Sequence, residues 1–187
     1  MTAEQQTTGT PPTVAESDAR RDESIQALAK SLKDTAKKYG ADAVALQAAL
    51  LMTSLKAGAA GPTEVSVVGV SPDAGADYLR IEVRTGIVFD ADTTTPEGRG
   101  QSVWQRVALP ALGRLRSVNF QPEGLDLLLV YGTQSFAQNV PRTVDLDKET
   151  APVRVRVAIP GEALRALLDE EIAGEELLGR SLFVTEH

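Results

Sequence analysis

Thr63-Glu64-Val65-Ser66-Val67-Val68-Gly69-Val70, followed by Leu79-Arg80-Ile81-Glu82-Val83-Arg84, is where the periodicity of this chain changes. A repeat of two places successive side chains on opposite faces of a strand. The second segment alternates apolar residues with Arg80, Glu82 and Arg84, so one face meets a core and the other meets water, the habit of antiparallel sheets. A later segment repeats the pattern, with Val153, Val155 and Val157 alternating with Arg154 and Arg156. The continuous apolar run at 127–131 reads as a central strand covered on both faces. A last strand is predicted at 182–185.

Upstream of Thr63 the repeat is helical. Ile25, Leu28, Ala29, Leu32, Ala36 and Tyr39 recur every three or four residues, and Gly40 suits the end of that helix. Asp42 is placed to cap a second helix over 43–56, whose apolar residues cover most of its circumference and call for burial on nearly all sides. Left uncovered, such a helix would form a patch large enough to drive association. Residues 1–15, rich in Thr, Gln and Pro, read as a disordered arm.

Residues 102–116 fit either an amphipathic helix disturbed by Pro110 or a strand running into a short helix. Pro160 and Gly161 precede a helix over 162–172, and a helical turn follows at 175–178. The fold class is therefore α+β: an N-terminal helical pair, then a mainly antiparallel sheet with helices packed on one face. The organisation is an arm (1–15), a helical hairpin (16–57) and an α+β sheet region (63–187) forming one globular unit with the hairpin.

Composition narrows the chemistry. The chain of 187 residues has no cysteine and a single histidine, the terminal His187. Thiolate nucleophiles, Cys/His metal sites and histidine-activated nucleophiles have no residues to work with. A net charge of −7 and few aromatic residues argue against nucleic acid as a partner. The longest uncharged apolar stretch is too short to span a bilayer, so no membrane insertion is expected. With no signal-peptide pattern at the start, a cytoplasmic location is the expectation. No glycine pattern matches a nucleotide-binding loop. Lys30, Lys33 and Lys37, interleaved with Asp34, read as a solvated helix face.

Arg80, Arg84, Arg154 and Arg156 all lie on the polar sides of two strands. If those strands are neighbours, four guanidinium groups share one face. Guanidinium groups pair bidentately with carboxylate and phosphate, so that face would hold an acidic helix, such as residues 170–176 of a neighbouring subunit, or a small anion. The bland alternative is a solvated face balanced by Glu82.

Ile87-Val88-Phe89-Asp90-Ala91-Asp92-Thr93-Thr94 resembles the first motif of the haloacid dehalogenase-like phosphotransferases. The resemblance implies Asp90 as nucleophile and Asp92 as general acid/base beside Mg²⁺. It covers eight residues. Thr133 or Ser135 would stand for the second motif and Lys148 for the third, while the late acidic motif has no counterpart, because Asp169, Glu170 and Glu171 fall in a predicted helix. Read from residue types alone, the segment is a solvated strand end followed by loop formers. Asp145-Leu146-Asp147-Lys148-Glu149 lacks the glycine and ligand spacing of a calcium loop and reads as a solvated loop.

The reading that uses most of these parts is a non-catalytic protein–protein interaction or assembly protein. It self-associates as a homo-oligomer or joins a larger complex, binds through the four arginines, and needs no cofactor or metal. The alternatives are the Mg²⁺-dependent phosphotransfer enzyme built on Asp90 and Asp92, and a small-ligand binding module.

Overall fold

A computed structural model of the chain describes residues 14–73, 76–134 and 151–186; the side chains of 14–18, 72, 73, 76, 151 and 186 are outside the description. Two helices, α1 (Val14–Tyr39) and α2 (Ala41–Lys56), precede strands β1 (Glu64–Asp73) and β2 (Ala76–Asp90). A helical crossover of α3 (Pro96–Val103), a π-helical turn (Trp104–Ala108), α4 (Leu109–Gly113) and a 3₁₀ turn (Arg114–Ser117) leads to β3 (Gly124–Gln134) and then β4 (Ala151–Pro160). Helices α5 (Gly161–Leu168) and α6 (Gly174–Gly179) come before β5 (Leu182–Glu186).

The five strands form one sheet in sequence order. β1–β2, β3–β4 and β4–β5 pair antiparallel, while β2–β3 is parallel. The α+β class and the mainly antiparallel sheet are as the sequence predicts. No helix among the described residues is long and apolar enough to cross a membrane.

Gly40, at φ 89°, accommodates the reversal between α1 and α2 in a conformation that an L side chain resists. Helix α2 begins at Ala41, so Asp42 lies inside its first turn and favours the helix dipole instead of capping. Leu46, Ala49 and Leu50 enter the same core as Ile81, Val83, Leu127 and Leu129. The predicted burial of α2 on nearly all sides is not met, for Met52 is 45% and Leu55 60% exposed. The buried Gln47 Nε2 donates to Val65 O (2.7 Å) and Ser31 Oγ (2.9 Å), tying both helices to β1. Helix α1 starts within the predicted arm, at Val14; residues 1–13 lie outside the described residues.

Residues 102–116 resolve as helix. Val103, Trp104, Val107, Ala108, Ala111, Leu112 and Leu115 form one buried stripe against the sheet. Pro110 has no N–H to give and its ring crowds the preceding turn. The backbone widens just before it, where Leu109 N–H reaches back to Trp104 O, and the stripe continues unbroken. α5 is shorter than predicted, ending at Leu168.

β3 is the central strand, but the described helices cover one of its faces only. Leu125, Leu127, Leu129 and Tyr131 are buried beneath the helices, whereas Leu128 and Val130 on the other face are half-buried. β2 carries a bulge between Arg84 and Val88. Thr85, buried there, donates from Oγ1 to Val130 O (3.0 Å) and accepts from Ile87 N (3.2 Å). Gly86 adopts φ 65°, and its carbonyl accepts the N–H groups of Ala60 (2.8 Å) and Gly61 (3.0 Å). A Cβ on Gly86 would collide with the Gly61 carbonyl. Gly86→Ala combines that collision with the cost of a left-handed alanine, so it should lower unfolding free energy by about 2 kcal/mol or more in urea denaturation.

Candidate interaction surface

Among the described residues α2, the crossover and α5 pack on one side of the sheet, and no described helix packs across the opposite face. Strand registers arrange that face in three rows across the sheet. One row runs Glu64, Arg84, Val130, Arg154 and Glu186; the next Ser66, Glu82, Leu128, Arg156 and Val184; the third Gly69, Arg80, Asp126, Ala158 and Leu182. All four predicted arginines therefore share this face. They are not on neighbouring strands, since β3 lies between β2 and β4.

The residue on β3 decides what two of them do. Arg80 donates from Nε (2.8 Å) and Nη2 (2.6 Å) to Asp126 Oδ2, while Arg156 donates from Nε to Oδ1 (2.8 Å) and from Nη2 to Oδ2 (3.2 Å). Only 1% of the Asp126 side chain is exposed. Burial pushes its carboxyl pKa up, but hydrogen bonds and charge from Arg156 and Arg80 more than offset this, leaving it below its usual value. Asp126 was missed in the sequence because it stands just ahead of the 127–131 apolar run, with Leu125 on its other side. The available signal was that interruption itself: one carboxylate amid leucines, with arginine-bearing strands elsewhere in the chain.

Arg84 and Arg154 flank Val130 in the first row and are exposed. Arg84 Nε makes one exposed contact with Glu82 Oε1 (3.1 Å), and no ion pair of Arg154 occurs among the described residues. Between the two arginines lies a shallow groove of about 210 Å³. Its floor is low because Gly86, Gly132 and Pro152 offer little side chain there, and Gly61 and Pro62 wall one end. The hydrogen bonds that clamp the 60–61 backbone to the β2 bulge build that wall, and bulges often re-aim residues beside sites.

Asp90 ends β2. Its Oδ1 accepts the Asp92 N–H (3.0 Å) and its carbonyl accepts the Thr94 hydroxyl (2.9 Å), so the carboxylate organises a turn that Thr95 continues as the cap of α3. Arg99, largely buried, donates to Thr94 O (2.8 Å) and braces the same turn. No group of three metal-ligating side chains occurs among the described residues. Ser135, Lys148 and the 145–149 loop lie outside the described residues. Glu170 pairs with Arg116 (2.6 Å) and Glu176 with Arg180 (2.5 Å), so the acidic 170–176 segment already has partners in its own chain. Comparison with family models, curated proteins and solved structures finds no match to this chain.

Asp126→Asn removes the shared anion and leaves two partly hydrated guanidinium groups without it, at a cost of about 1–3 kcal/mol near neutral pH. Because the folded-state pKa is depressed, this stability is present above the ordinary value of 3.8 and is lost as pH falls through the lower folded value. Urea midpoints of wild type and Asp126→Asn should therefore differ at neutral pH and converge in that acid range.

Proposed function

We propose that this chain is a non-catalytic interaction or assembly protein that receives an acidic segment of a protein partner on its arginine-bearing sheet face. The observation that carries the reading is the division of labour among the four arginines. Arg80 and Arg156 are paired with Asp126 and tie β2 and β4 to β3 there, while Arg84 and Arg154 stay exposed on either side of Val130. On a chain of net charge −7, two such cations beside Leu128 and Val130 suit a partner that offers carboxylates next to apolar side chains.

The groove is smaller than the range of about 300–1,000 Å³ usual for enclosed small-molecule sites, which favours a surface contact over a ligand pocket. The turn role of Asp90 lends no support to phosphotransfer.

A fluorescein-labelled peptide alternating glutamate with valine, titrated with the full chain, tests the reading by anisotropy. Binding should weaken with salt, as exposed pairs are screened. It should weaken at least tenfold when glutamine replaces glutamate, and equally in Arg84→Glu/Arg154→Glu with an unchanged melting temperature. Equal binding of the glutamine peptide, no loss in the double variant, or no binding at all overturns it.

A further inference from the structure

Helix α1 is 26 residues long and α2 only 16, so α1 overhangs its neighbour by several turns. Every side chain from 19 to 30 is exposed, including Ile25 at 56% and Leu28 at 38%. An isolated helical segment of this length is marginal in water without packing on one face. Of the stripe that should supply it, Ile25, Leu28, Ala29 and Ala36 are exposed and Leu32 is half-buried, while the buried residue of this helix is Thr35.

The outer side of α2 has the same deficit. Ala41, Met52 and Leu55 are exposed there, and with the half-buried Ala45 and Ala48, of which Ala45 also touches the core, they recur at alternating intervals of four and three, the spacing of a helix–helix seam. The two helices fold back at Gly40, and Ile25 and Leu55 are each 15 residues from it, Leu28 and Met52 each 12. At 1.5 Å per residue these four positions lie roughly 18–22 Å along their helices from the turn.

Charge along α1 says what covers them. Residues 16–23 hold Glu16, Asp18, Asp22 and Glu23 against Arg20 and Arg21, and residues 30–38 hold Lys30, Lys33, Lys37 and Lys38 against Asp34. One half is acidic and the other basic. A second copy running antiparallel, with a two-fold axis at the level of Ala27, sets residues 16–23 of each copy beside residues 31–38 of the other. The same axis brings Ile25, Leu28, Met52 and Leu55 of both copies together at its centre. We infer that the α1–α2 hairpin is an isologous dimer interface, each copy covering the exposed N-terminal part of the other's α1. This rests on the hairpin alone and is independent of the sheet-face reading.

Light scattering on a size-exclusion column, run with the full chain over a range of concentrations, should give about twice the 19.9 kDa chain mass. Ile25→Glu/Leu28→Glu alters only exposed positions and should weaken dimerisation at least tenfold, with circular dichroism still showing a cooperatively unfolding sheet domain. Asp22→Lys/Glu23→Lys and Lys33→Glu/Lys37→Glu should each weaken it alone, whereas the chain carrying both sets should dimerise again, because the antiparallel complementarity is restored. Arg84→Glu/Arg154→Glu should leave the mass unchanged. A monomer at every concentration, a dimer indifferent to Ile25→Glu/Leu28→Glu, or a failure of the combined charge swap to restore association overturns the inference.

Discussion

The parallel pairing of β2 with β3 is the constraint on which the architecture rests. Antiparallel neighbours can be joined by a turn, but parallel neighbours need a connection that returns the chain to the starting end of the strand. Residues 91–123 make that return, and their buried stripe from Val103 to Leu115 commits the crossover to one face. Once it lies there with α2 beside it, apolar side chains from the sheet and the helices interdigitate in a single core. The widened turn before Pro110 keeps the stripe in phase, so a residue that breaks most helices is tolerated inside this one.

A sheet covered on one side must manage the other. The middle strand supplies Asp126 between two arginine-bearing strands, and its two oxygens absorb two guanidinium groups. Buried ion pairs recover their desolvation cost only when geometry is good and lone pairs are satisfied. Four hydrogen bonds to one carboxylate meet that condition, and they link β2, β3 and β4 across the exposed layer. The outcome is a division of roles along the strands: Arg80 and Arg156 are held by Asp126, while Arg84 and Arg154 stay exposed in a row that begins at Glu64 and ends at Glu186.

The two surfaces proposed for interaction differ in physical kind. The sheet face is preorganised by strand register, and its recognition would be through charge on either side of Val130. The hairpin face is apolar with charged flanks, and in the proposed dimer its exposed helix is packed by the second copy. They share no residue.

Much of the fold was legible in the sequence because its periodicities are local. Valine alternation in 63–84 and 153–157, the helical stripe of α1 and Gly40 as the turn each depend on residues a few positions apart. The four arginines were legible as members of polar strand faces for the same reason. Three things were decided only by long-range contacts. Pairing β2 and β4 with β3, not with each other, made Asp126 the partner of Arg80 and Arg156, and no local pattern encodes which strands adjoin. The all-round apolar character of α2 was visible, but which of its sides meets the sheet and which is left to Met52 and Leu55 depends on where the crossover packs. Asp90 and Asp92 have the spacing of a catalytic pair in sequence, yet their local hydrogen bonds form a turn, since side-chain chemistry is set by the surrounding groups and the tertiary structure brings no further carboxylate of the described residues into a metal-holding group with them.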